Sequence, residues 1–134
     1  MSDTASTADG DDTETPPKPR DVDAREFPAE LREAVAGGDF VLVDFYTKGC
    51  TLCQSIEPVL GSVARAADVP VLLVNPRDDP SLVSEHAIRS VPTLAVFTAG
   101  EDGDPEEVDR IADGFVGAER IVEFVEDARA AGEN

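Results

Sequence analysis

The run Phe40-Val41-Leu42-Val43-Asp44-Phe45-Tyr46, followed at once by Thr47-Lys48-Gly49-Cys50-Thr51-Leu52-Cys53, constrains this chain more than any other stretch. A continuous apolar run of strand length reads as a central β-strand covered on both faces, which requires a layer above it and another below. The two cysteines are the only ones in the chain and stand at the start of the next helical pattern. That pattern, from about Cys50 through Gln54 to Ala67, places Ile56, Val59, Leu60, Val63 and Ala67 at helical spacing; Pro58 within it is expected to kink the helix. Asp44 is the one charged residue in the strand.

The remaining elements follow from the same periodicities. A helix starts at Phe27 with Pro28 in its first turn, and Gly37-Gly38 is expected to stop it. Val69 to Val74 reads as a second buried strand, and a short helix opens at Pro80 and runs to about Ala87. Thr93 to Phe97 is a strand, joined through an acidic turn at Gly100 to Pro105 to a weaker strand from about Glu107 to Ala112. Gly117 to Ala130 is an amphipathic helix with Ala118, Ile121, Val122, Val125 and Ala128 on one stripe. Alternating strands and helices imply right-handed crossovers and a parallel pair, and the late hairpin adds an antiparallel one. The expected fold is α/β: a mixed four-stranded sheet with helices on both faces. Residues 1–22 have almost no apolar side chains and are expected to form a disordered acidic tail, leaving residues 23–134 as the folded domain.

Charge limits the partners. Acidic residues number 29 against 11 basic ones, giving a net charge of -18 and a pI near 4.1. The first 21 residues carry only -4 of this, so the folded part itself is strongly acidic. Such a surface should not bind nucleic acid or an anionic membrane. Molar salt would relieve its self-repulsion, and only Lys18 and Lys48 are lysines against nine arginines, which points to a salt-adapted, halophilic cytosol; an acidic mesophilic domain with a charged tail is the alternative. No signal segment or membrane span is visible, so a cytoplasmic location is expected. In a reducing compartment a lone close cysteine pair is catalytic or metal-binding rather than a structural staple.

A cysteine at the first turn of a helix faces unpaired backbone N–H groups and the positive end of the helix dipole, both of which favour thiolate. Cys50 holds that place and Cys53 lies one turn inward on the same face, close enough for a disulfide to open and close. The outer sulfur would attack a substrate disulfide and the inner one would resolve the mixed disulfide. A zinc site lacks ligands beyond these sulfurs and His86, whereas an iron–sulfur cluster shared between two chains and an inert pair stay open. Asp44, flanked by Val43 and Phe45, is expected to be desolvated with a raised pKa, fit to take the proton of Cys53 through a water; pairing with an arginine is the alternative. His86 reads as a surface residue. Lys48 reads as a solvated loop residue that could lend positive potential to Cys50.

Val41 to Tyr46, Cys50-Thr51-Leu52-Cys53, Pro58 and Arg89-Ser90-Val91-Pro92-Thr93-Leu94 together resemble the thioredoxin family, over roughly Phe27 to Ala130. The resemblance implies the thioredoxin fold and a thiol–disulfide oxidoreductase with no bound cofactor. It further implies electrons from a thioredoxin reductase and disulfide-containing proteins as partners; a monomer is expected, although the residues themselves do not set the oligomeric state. It assigns Cys50 as nucleophile, Cys53 as resolving cysteine, Asp44 as the buried acid and Pro92 as a cis-proline, which the residues alone would read as a strand-entry proline. Val91, Gly49, Thr51 and Gly114 would frame the substrate surface. The aromatic neighbour and Gly-Pro spacer usual in the family are replaced by Gly49 and Thr51-Leu52, and the lysine often beside the buried acid is Leu73. A glutaredoxin-like reductase using a small thiol and a non-catalytic binding module of the same fold are the alternatives.

Overall fold

The computed structural model describes residues 18–36 and 39–132. Among the described residues, five strands and four α-helices follow one another as β1 (Arg20–Val22), α1 (Phe27–Val35), β2 (Val41–Phe45), α2 (Thr51–Ala67), β3 (Val71–Val74), α3 (Pro80–Glu85), β4 (Thr93–Ala99), β5 (Pro105–Ile111) and α4 (Ala118–Gly132), with a 3-10 turn at Pro76–Asp78 before α3. The sheet order is β1-β3-β2-β4-β5. Strands β1, β3 and β2 run parallel, and β4 and β5 are antiparallel additions.

The sheet thus has five strands where four were expected. The extra one, β1, lies inside the stretch 1–22 whose composition argued against order; residues 1–17 lie outside the described residues. Its one buried side chain, Val22, is all the apolar content three residues on a sheet edge require, too little to register as a period-2 pattern. The expected stop of α1 at Gly37-Gly38 also lies outside the described residues. Helix α2 continues across Pro58 to Ala67. In the hairpin, Val108 is unmatched between the pairs Val96–Asp109 and Phe97–Glu107, which breaks the alternation of β5 and explains its weak sequence signal.

Strand alternation assigns each side chain of β2 to one of two cores. Val41, Val43 and Phe45 face the layer of α1 and α3, packing with Phe27, Leu31, Val35 and Leu82. Leu42 faces the layer of α2 and α4, packing with Ile56, Leu60, Val63, Ile121 and Val125. Asp44, two residues after Leu42, faces that same layer, toward the helix that carries the cysteines. His86, expected at the surface, instead packs its ring against Phe27, Phe45 and Phe97, with centroids 5.8, 5.3 and 5.7 Å away.

Candidate active site

The loop after β2 delivers Cys50 to the N-cap of α2 in extended backbone geometry. Its Sγ accepts a hydrogen bond from the backbone N–H of Cys53 at 3.1 Å, so the sulfur does the work of a helix cap. The two sulfurs are joined in a disulfide, with their Cα atoms 5.2 Å apart. Cys50 is partly exposed whereas Cys53 is 1 % exposed, an asymmetry set by α2 turning its second cysteine into the core. Gly49 has φ +81°, a left-handed conformation that a side chain adopts only with strain, so an aromatic neighbour here would strain the backbone although the space around it is open.

Opposite the pair, the Val91–Pro92 peptide bond is cis, and the Val91 carbonyl oxygen lies 3.9 Å from Cys50 Sγ. Thr93, next in line, is buried and donates its hydroxyl to the carbonyl of Ser90 at 2.7 Å, fixing the loop to the start of β4. Gly114 has φ +79°, and a Cβ there would stand 3.6 Å from Leu52 Cδ1, so the β5–α4 loop lies against the spacer between the cysteines. Thr51 is exposed beside Leu52. Leu52 and Phe115 are the exposed large apolar side chains among the described residues, at 46 % and 50 %. Phe115 escaped the sequence reading because a lone aromatic in a loop carries no period; its place beside Gly114 was the available signal.

Asp44 is fully buried, and neither carboxylate oxygen has a hydrogen-bond partner among the described residues. The strand register puts Leu73 of β3 on one side of it and Leu94 of β4 on the other. The arginine partner considered from the sequence is therefore not found among those residues, and the leucine at 73 supplies hydrocarbon where a cation would have favoured the charged form. Burial, reinforced by the charges of Glu57 and Asp21, pushes the carboxyl up to about 7. At neutral pH the group is poised to accept or release a proton. Near it the Tyr46 hydroxyl donates to Asp21, 2.9 and 2.8 Å from its two carboxylate oxygens, so β1 ties the end of β2 in place. No group of three or more His, Cys, Asp or Glu side chains able to hold a metal stands together among the described residues. No helix among them is long and apolar enough to cross a membrane.

The comparisons with known proteins agree with this geometry. The thioredoxin family model matches residues 20–127. The chain is 35% identical to thioredoxin of Porphyra purpurea over 79 residues, covering 57% of this chain and 74% of that one. It is 39% identical to thioredoxin of Pyropia yezoensis over 66 residues, covering 48% and 62%. Among solved structures it is similar to a mutant thioredoxin from Halobacterium salinarum NRC-1, with a TM-score of 0.71 and 30% identity, over 85% of this chain and 93% of that one. Of the enzyme readings the sequence left open, the thioredoxin one is the family matched. A helix-capping, partly exposed Cys50 joined to a buried Cys53 is a redox-active thiol–disulfide pair, and the chain belongs to the thioredoxin family.

Proposed function

We propose that the chain reduces disulfides of other proteins in a cytoplasm rich in salt, acts as a monomer, and is recharged by a thioredoxin reductase. The observation that carries the reading is the Cys53 N–H held 3.1 Å from Cys50 Sγ, because a hydrogen bond and helix dipole that stabilise the sulfur's negative charge make Cys50 the nucleophile. The Cys50 thiolate attacks one sulfur of the target disulfide; a mixed disulfide forms and the other target sulfur leaves as a thiolate. Asp44 takes the proton of Cys53 through a water. The Cys53 thiolate attacks Cys50 Sγ, closing the Cys50–Cys53 disulfide and releasing the second target sulfur. Two electrons pass from the chain to the target, and two protons complete the target's thiols. The reductase then returns two electrons to the pair.

Val91 offers its backbone to an extended substrate beside Pro92, with Gly49, Thr51 and Gly114 framing the approach. The net charge of -18 and the likeness to a Halobacterium protein support the salt-rich setting. A disulfide-reduction assay with a thioredoxin reductase and NADPH tests the proposal. Wild type turns over, and Cys50→Ser falls to the uncatalysed rate; equal rates for the two would overturn the reading. Cys53→Ser is expected to accumulate the mixed disulfide, detectable by mass.

A further inference from the structure

Charge is unevenly spread around the active site. Two open grooves share Arg89 and Ser90 in their linings. One groove, about 240 Å³, is lined by Thr47, Arg77, Arg89 and Val91 among others. The other, about 320 Å³, is lined by Arg89, Thr93 and Arg110 among others. Neither lining contains an acidic side chain, in a chain where acids outnumber bases 29 to 11. By contrast, the hollow at the hairpin turn is walled by Glu101, Asp102, Asp104 and Glu106.

The three arginines are not equivalent. Arg110 is engaged, donating to both carboxylate oxygens of Glu107 at 2.7 Å and to the carbonyls of His86 and Ala87 at 2.6 and 3.1 Å. Arg77 and Arg89 are exposed, and neither guanidinium makes an ion pair or hydrogen bond among the described residues. Thr47 and Val91 also line this groove, and they stand three residues before Cys50 and directly before Pro92 in the chain. A substrate chain lying along Val91 would run directly over it.

We propose that Arg77 and Arg89 form an anion subsite that seats an acidic side chain of the polypeptide segment whose disulfide Cys50 attacks. The inference rests on the reading of the chain as a protein-disulfide reductase. Two unpaired guanidinium forks present planar donor sets matched to a carboxylate. A net charge of -18 repels acidic segments at long range, so only a local concentration of free cations gives them a place to dock beside the disulfide.

The test uses disulfide peptides identical except for two residues flanking one cysteine, Asp-Asp, Ser-Ser or Lys-Lys, together with the small neutral 2-hydroxyethyl disulfide. Pre-reduced full-length protein is oxidised in a single turnover, in salt of about 0.5 M, where the Debye length is about 4 Å and contact pairs outlast the long-range field. The Asp-Asp peptide is expected to react about threefold to tenfold faster than Ser-Ser, with Lys-Lys slowest. Arg77→Gln with Arg89→Gln should erase that order and leave the rate with 2-hydroxyethyl disulfide unchanged. Arg65→Gln, about 22 Å along α2 from Cys50, should keep the wild-type order. The subsite is overturned if Asp-Asp is no faster than Ser-Ser, if Lys-Lys is fastest as net charge alone requires, or if Arg65→Gln erases the order as well. If none of the disulfides oxidises the protein, the reductase reading fails and the subsite with it.

Discussion

Asp44 has no hydrogen-bond partner among the described residues and lies between Leu73 and Leu94, so its ionised form is the costly one. Because the folded carboxyl titrates at about 7 against an ordinary value of 3.8, the native state holds a proton that the unfolded chain has lost. The stability of the neutral form is complete below the lower value and drains away as pH rises through the upper one, to a total of about 4 kcal/mol. Asp44→Asn is therefore expected to exceed wild type in stability at pH 8 by up to about 4 kcal/mol, with the gap closing toward pH 4, as measured by urea unfolding. The same variant should slow the resolving step, leaving more mixed disulfide at neutral pH. His86 has the opposite sign. Desolvation among Phe27, Phe45 and Phe97 lowers its pKa, so its own contribution to stability is lost as pH falls below 6.5, against the gain from Asp44. His86→Leu should remove that loss and so steepen the gain in stability toward acid pH, read by urea unfolding. Asp44 was legible in sequence because its strand neighbours are apolar, whereas the burial of His86 depends on three rings from distant segments.

At the scale of elements, β2 and α2 place the site together. Alternation along β2 sends Asp44 to the α2 side, and the cap at Cys50 sets where α2 begins. Both were legible, since period and capping are local properties. Strand β1 was not, because it contributes a single buried side chain and its partner, β3, lies some fifty residues along the chain. Its attachment rests on the parallel pairing with β3, on Val22 in the α1 core, on the Asp21–Tyr46 hydrogen bonds and on the Arg20–Glu30 ion pair. Val22→Ser is expected to destabilise the fold by about 2 kcal/mol, whereas Arg20→Ser, which removes only an exposed ion pair with Glu30, should cost less than about 1 kcal/mol; chemical denaturation distinguishes them.

For the whole molecule, the dominant variable is charge. Excess acids on the folded part repel one another at every distance the solvent leaves unscreened, and molar salt shortens that distance to about 3 Å. The melting temperature is expected to rise steadily from dilute buffer to about 2 M KCl, and a flat response would remove the case for a salt-adapted protein. By itself the sequence determined the redox pair, the burial of Asp44 in the strand before it, the alternation of strands and helices, and the acidic surface, because these depend on residue type and on neighbours a few positions away. Only the tertiary structure decided that a fifth strand forms the sheet edge and that His86 packs against three rings. It alone put Leu94 opposite Asp44, brought Gly114 against Leu52, and set Arg77 and Arg89 in one groove at Val91. The physical reason is common to all of these: each is a contact between segments distant in sequence, made when the chain closes its loops and the sheet register brings them face to face.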